Sequence, residues 1–184
     1  QQLIDAADGG RADGNGWIAA CRERIDQWWA SELDHVESNA EPIRPERVAV
    51  DLVKALPDDA MIVTDTGYSA AWSGAFMDLP AGKNFLACEG SMGWAFSAAM
   101  GAKCAIPDRP VVAWCGDGGF WPHIAEVETA VRNEINSITV VINNNALVFD
   151  THLLQAFWSA SHDVHLLSEF HPVNLSNLVN EMGG

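Results

Sequence analysis

A chain of 184 residues and 19.9 kDa suits one domain with at most an appendage. Its 48% hydrophobic and 19% charged residues match an ordinary soluble globular protein and provide enough apolar side chains for a core. A net charge of −15 and a pI near 4.5 argue against nucleic acid and anionic membrane surfaces as partners. A phosphate-bearing ligand would need a divalent cation, helix N-termini or backbone amides to hold it.

Cys21, Cys88, Cys104 and Cys115 are widely spaced and form no CxxC pair, which fits reduced thiols. No apolar run approaches the roughly 20 residues that cross a bilayer. The opening QQLIDAADGG has no basic region followed by an apolar one, so no signal peptide is expected and the expected location is cytoplasmic.

Residues 1–15, rich in Asp, Gly and Ala, read as a loose lead-in. A helical period from Trp17 to Leu33 follows, with Ile18, Cys21, Ile25, Trp28 and Trp29 as its apolar members. Asp34–Pro45 is polar, carries two prolines and reads as a linker. The expected division is a connector over residues 1–42, with one helix, and a domain over residues 43–184 whose compact part begins near Arg47.

Within that domain helices and strands alternate. Helices are expected over Arg47–Ala55, Tyr68–Met77, Ser91–Cys104 and Gly119 to about Asn133; strands are expected over Met61–Thr64, Asn84–Ala87, Val111–Trp114 and Ile138–Ile142. Apolar runs of this length without alternation indicate strands buried on both faces. Alternation with helices indicates an α/β fold, a doubly wound and mostly parallel sheet flanked by helices. Ligands in such folds sit beyond the carboxyl ends of the strands. Asp65-Thr-Gly67, Gly116-Asp-Gly-Gly119 and Asn143-Asn-Asn145 each follow a strand directly.

The turn around Asp117 joins a strand end, glycines that permit a tight turn, and a helix start whose unsatisfied amides can cradle an anion. A carboxylate in such a cradle repels a phosphate unless a metal lies between them, and Mg²⁺ is commonly held by one or two carboxylates plus phosphates. Alone, GDGG also suits a plain strand-to-helix turn, and three asparagines suit a strand-ending turn. Their register links them. Asn144 follows Asp117 by 27 positions, about one strand–helix–strand unit, which returns the chain to the same sheet edge. An Asn144 amide oxygen can then join Asp117 on one ion.

The stretch GDGGFWPHIAEVETAVRNEINSITVVINN resembles the thiamine diphosphate motif of the acetolactate synthase, pyruvate decarboxylase and benzoylformate decarboxylase superfamily. Glu126, Thr129-Ala130, Arg132 and Val140-Val141 fall in the family's register, and the likeness extends back through CEGSMGWAFSAAMGAKCAIPDRPVV to VTDTGYSAAW. The resemblance implies a C-terminal cofactor-binding domain that holds thiamine diphosphate and Mg²⁺. Its implied metal ligands are the side chains of Asp117 and Asn144 and the backbone carbonyl of Ala146. Its implied cofactor-binding residues are Gly67, Tyr68 and Ser69 on one diphosphate loop and Gly116, Asp117, Gly118 and Gly119 on the other. Asn144, Ala146, Leu147, Ser91 and Met92 complete the set. Met92 corresponds to the apolar residue that bends the cofactor into a V, although its spacing alone also suits a core methionine.

The implied function is that of an acetolactate synthase-like lyase or transferase, which decarboxylates or ligates 2-oxo acids through a cofactor-bound carbanion. In this family an activating glutamate comes from a pyrimidine-binding domain of the same or a neighbouring subunit, and homodimers or homotetramers are expected. No such domain is recognisable in these residues, so the chain alone is expected to bind cofactor poorly and to catalyse nothing. The C-terminal Pro172–Gly184 resembles the family helix that precedes one more strand and helix, and those two elements are expected to be lacking. A non-catalytic thiamine-enzyme-like subunit serving assembly or regulation is the alternative; Asp117, Asn144 and Met92 favour the enzyme.

The chain departs from the acetolactate synthase pattern beyond the metal loop. Acetolactate synthases usually have glycine after the leucine and a Trp-Gln pair further on. Here Val148 and Leu153-Leu154 occupy those places, with Gln155 one position late. Tyr68, Val148, Thr151 and His152 are therefore the candidate substrate contacts. His162, His165 and His171 lack the partner set a zinc site needs. Glu126 and Glu128 are two apart on a helix and point in different directions, so they form no acid–base dyad. Trp28, Trp29 and Trp121 lack the basic groove of a base-stacking platform and are expected in a core or at a subunit interface.

Overall fold

Four short apolar runs form one parallel sheet, and its strand order decides where a ligand can sit. The computed structural model describes residues 16–79, 84–88, 90–157 and 165–184; the expected lead-in over residues 1–15 and His162 lie outside them. The strands are β1 (Met61–Thr64), β2 (Asn84–Ala87), β3 (Val111–Gly116) and β4 (Ile138–Ile142). All pairings are parallel and the order is β2-β1-β3-β4. From β1 the chain moves outward to β2, then crosses back to β3 and on to β4. The order reverses between β1 and β3, and in open α/β sheets the crevice at such a reversal is the ligand site.

The helices are α1 (Trp17–Val36), α2 (Pro45–Ala55), α3 (Tyr68–Phe76), α4 (Trp94–Ala105), α5 (Asp117–Phe120), α6 (Glu126–Arg132), α7 (Val148–Phe157), α8 (His165–Ser168) and α9 (Leu175–Glu181), with a 3₁₀ turn at Trp121–His123. Among the described residues no helix is long and apolar enough to cross a membrane.

Successive strand residues face opposite sides of a sheet, and both sides are covered here. On one, Val63, Ala113 and Cys115 pack with Phe96, Ala99 and Met100 of α4, Val127 of α6 and Leu175 of α9. The other side meets α3 through polar ties: Thr64 Oγ1 lies 2.9 Å from Ser73 Oγ, and Trp114 Nε1 donates to the Ser69 carbonyl at 3.0 Å. Trp114 is fully buried. This is the doubly wound parallel fold that the alternating pattern predicts.

Three expectations need correction. β4 was expected to be buried on both faces, but it is an edge strand: Ile138 is exposed and the rest are half-buried. Leu86 on β2, the opposite edge, is also exposed. The helix expected from Gly119 to Asn133 is broken into α5, the 3₁₀ turn and α6, because Pro122 offers no amide to a continuing ladder. The helix expected from Ser91 starts at Trp94, after Gly93 takes a left-handed conformation at φ 89°.

The chain divides into two compact units, residues 1–47 and 48–184. In the first, α1 runs three residues past its expected end, and none of its residues is buried. Trp17, Ile18, Ile25 and Trp28 are exposed there, and Trp28 meets Trp29 edge-on at 5.0 Å between ring centroids. Arg47 Nη1 donates to the Ser38 carbonyl and to Asn39 Oδ1, at 2.8 and 2.7 Å.

Candidate functional site at the sheet reversal

Register brings the candidate loops together. Thr64 pairs with Trp114 and Gly116 with Ile142, so the chain leaves β1, β3 and β4 at one edge of the sheet. The three exits surround a cavity of about 640 Å³. From the first loop Gly67, Tyr68 and Ser69 line it; from the turn after β3, Gly116, Asp117, Gly118 and Gly119 do. Asn144, Ala146, Leu147 and Val148 line the third side, and Met92 reaches the wall from the loop before α4. A larger cavity of about 1000 Å³ lies between α6, α9 and the face of β4 that carries Thr139 and Val141, and none of the sequence-predicted site residues lines it.

Asp117 is the centre of the arrangement. The residue is buried; Oδ1 accepts the Gly118 amide at 2.8 Å, while Oδ2 is buried with no hydrogen-bond partner among the described residues. Burial raises its pKa above the ordinary carboxylate value, and the amides of Gly118, Asn145 and Ala146 pull the other way. An unpartnered buried carboxylate oxygen is costly unless something binds it. A cation would satisfy it, and one carboxylate with neutral oxygens around it is a donor set that suits Mg²⁺. Among the described residues no three His, Cys, Asp or Glu side chains converge.

The loop after β4 lines the same cavity as Asp117. Asn145 holds a left-handed conformation at φ 57°, and Asn144 Oδ1 accepts the Ala146 amide at 3.1 Å. An antiparallel bridge pins Ala146 opposite Glu169, through Leu147 N–H to the Ser168 carbonyl and Phe170 N–H to the Asn145 carbonyl, both 2.7 Å. Neither of these two bonds uses the Ala146 carbonyl. Gly118 packs closely on this loop: a Cβ there would push aside Cδ2, the tip of the Leu147 side chain.

Three predicted residues stand apart from the cavity wall. Ser91 is exposed and does not line it. Thr151, expected at the substrate, is instead buried, and its hydroxyl is committed to the Leu147 carbonyl and to Ser168 Oγ, at 3.1 and 2.7 Å. It ties α7 to α8. His152 is exposed but reaches the wall through Tyr68, whose hydroxyl lies 2.7 Å from Nδ1.

Sequence reasoning missed Asp65. Its buried carboxylate accepts the amides of Thr66, Gly93 and Ala95, and so ties the end of β1 to the start of α4. Within β3 the Cys115 thiol is fully buried, and that burial, with the nearby Asp65 and Asp117 charges, pushes its pKa up to about 12. The acid at the end of an apolar strand, just before Thr-Gly, was the available signal for Asp65.

The comparisons with known proteins converge on one family. Residues 65–184 match the thiamine pyrophosphate enzymes' C-terminal TPP binding domain. YdaP of Bacillus subtilis (strain 168), described as thiamine pyrophosphate-containing, is 30% identical over 140 residues, covering 74% of this chain and 24% of its own length. Sulfoacetaldehyde acetyltransferase of Alcaligenes xylosoxydans xylosoxydans is 32% identical over 155 residues, covering 76% of this chain and 26% of its own length. The acetolactate synthase isozyme 3 large subunit of Escherichia coli (strain K12) is 28% identical over 127 residues, with 68% and 22% covered. The match thus spans about a quarter of each relative. The chain belongs to the thiamine pyrophosphate enzymes, through the C-terminal cofactor-binding domain that these residues form.

Proposed function

We propose that this chain binds Mg²⁺ and the diphosphate of thiamine diphosphate for an acetolactate synthase-like lyase or transferase acting on 2-oxo acids. The observation that carries the reading is the buried, unpartnered Asp117 Oδ2 at a glycine-walled cavity. Asp117 and Asn144 would hold the ion by their side chains and Ala146 by its carbonyl. Gly119 would turn its backbone amide to the diphosphate, opposite Gly67, Tyr68 and Ser69, and Gly118, whose amide donates to Asp117 Oδ1, would line the cradle beside it. Met92, exposed and on the cavity wall, would wedge between the cofactor's rings. When bound, the cofactor supplies a carbanion equivalent that attacks a substrate carbonyl. The chain's own contribution is to fix the cofactor's charged end and to line the substrate's approach with Tyr68 and Val148.

The reading extends to assembly. Residues 1–42 would be the connector from a preceding domain, and residues 43–184 would belong to the cofactor domain. A pyrimidine-binding domain, from the same or a neighbouring subunit, would supply the activating glutamate, and the enzyme would be a homodimer or homotetramer. Calorimetric titration of the assembled enzyme with thiamine diphosphate tests this. Affinity should require Mg²⁺ and disappear in Asp117→Ala, and unchanged affinity in that variant would refute the assignment.

A further inference from the structure

Tyr68 and His152 are 84 positions apart, yet the Tyr68 hydroxyl lies 2.7 Å from His152 Nδ1 at the edge of the cavity. Packing fixes the phenol in place. Its ring stacks on Trp72 at 5.6 Å between centroids and meets Phe149 and the His152 ring edge-on, at 5.8 and 5.7 Å. Tyr68, Trp72 and Phe149 line the same cavity as Asp117. The pair joins the first residue of α3 to α7, and it differs from an incidental surface contact because the Tyr68 ring cannot turn away without breaking its packing on Trp72, Phe149 and His152.

Only one proton fits between the two atoms, and its origin decides what the cavity meets. If the Tyr68 hydroxyl donates to Nδ1, the phenol oxygen offers the cavity only lone pairs and repels an anion. If Nδ1–H donates to the phenol oxygen, the hydroxyl proton is free to point into the cavity and bind an anionic oxygen. The tautomer of His152 therefore sets whether Tyr68 is a donor or an acceptor toward a ligand.

We propose that Tyr68 and His152 act as one donor unit for the carboxylate of a 2-oxo acid, Tyr68 touching the substrate and His152 positioning the Tyr68 proton. This rests on the function proposed above and goes beyond it by assigning the recognition of the substrate's anionic group to a bonded pair. Thr151, one position before His152, is turned away into the α7–α8 contact, so α7 offers the cavity edge an imidazole rather than a hydroxyl.

The test is the calorimetric affinity of the assembled, cofactor-loaded enzyme for pyruvate, glyoxylate and phenylglyoxylate, with KM and kcat for whichever of them turns over. A hydrogen bond to a charged group is worth about tenfold or more in affinity. Tyr68→Phe and His152→Phe should each weaken binding about tenfold, raising KM more than they lower kcat. The double variant should be no worse than either single one, because the two side chains serve one bond. His152→Asn, whose amide can donate from near the Nδ1 position, should restore affinity to within about threefold. Multiplying effects in the double variant, no rescue by asparagine, or unchanged affinity in the single variants would overturn the proposal. Binding of none of the three acids would overturn the 2-oxo acid assignment. The proposed cofactor function fails separately, and only if Asp117→Ala keeps its Mg²⁺-dependent cofactor affinity.

Discussion

Both carboxylate oxygens of Asp65 lie 3.0 Å from the Gly93 amide that they accept. The bond joins the carboxyl end of β1 to the residue just before α4. The Ala95 amide, at 3.2 Å from Oδ2, and the Thr66 amide, at 2.8 Å from Oδ1, complete the set. Asp65 thus caps α4 from outside its own segment, supplying acceptors to amides that a helix start leaves unsatisfied. Asp65 also lies close against the turn carrying Asp117, since a Cβ on Gly119 would sit 3.0 Å from Asp65 Oδ2.

Asp65→Ala strands buried amides, each costing about 1–3 kcal/mol. The expected loss is about 3 kcal/mol, read in thermal unfolding as a drop of about 10 °C for a domain of this size. Asp65→Asn keeps one acceptor oxygen and should lose about half as much. Equal losses in the two variants would show that the charge matters more than the acceptor count.

Gly93, which caps α4, and Gly101, inside it, respond oppositely to an added methyl. Gly93 sits at φ 89°, and a Cβ there would collide with the His123 ring and approach the Gly119 carbonyl to 3.0 Å. Gly101 lies inside α4 with nothing within 4 Å of the same atom. Gly93→Ala should cost at least about 2 kcal/mol from backbone strain and collision together. Gly101→Ala should stabilise by about 0.5–1 kcal/mol through helix propensity. Denaturant midpoints with unchanged slopes would measure both.

The strands and the cavity loops were readable because their cause is local. An apolar run such as Ile138–Ile142 and a turn such as Gly116–Gly119 carry their own signal, and one parallel register then brings the loops together. What failed depends on neighbours. β4 carries the same composition as a central strand, but nothing in its five residues says whether another strand pairs beyond it. Thr151 and His152 are adjacent in sequence and face different partners, and only the packing of α7 on α8 separates them. Asp65 was passed over because its four bonds run to amides, which leave no trace in side-chain identity.

Cysteine reactivity should divide by burial. Cys104 is exposed, whereas Cys115 is fully buried with its pKa pushed up to about 12, first by desolvation and then by the Asp65 and Asp117 charges. The thiolate is the reactive form. At pH 8 Cys104 should react readily with an aromatic disulfide reagent, while Cys115 reacts only once denaturant is added. Mass mapping that found Cys115 modified in the native protein would show that the end of β3 opens on that timescale.

The last prediction concerns stability at the metal site. Asp117 Oδ2 is buried without a partner, and burial raises the residue's pKa, so without a cation the ionised carboxylate works against the fold. Asp117→Asn removes the charge, keeps the shape and keeps an oxygen for the Gly118 amide. In metal-free buffer at neutral pH this variant should be as stable as the unsubstituted protein or more so, by up to about 1 kcal/mol. Its sign reverses when Mg²⁺ and thiamine diphosphate are added. The unsubstituted protein should then gain about 2.7 kcal/mol at a hundredfold excess over its Kd, and the variant should gain little. Asn144→Ala should sit between the two, because a neutral amide is a weaker ligand than a carboxylate and its oxygen also holds the Ala146 amide at 3.1 Å. Thermal unfolding of the assembled protein, with and without both ligands, reads all three. A metal-free Asp117→Asn several kcal/mol less stable than the unsubstituted protein would mean that Oδ2 has a partner in solution and that the carboxylate serves the fold instead of the ion.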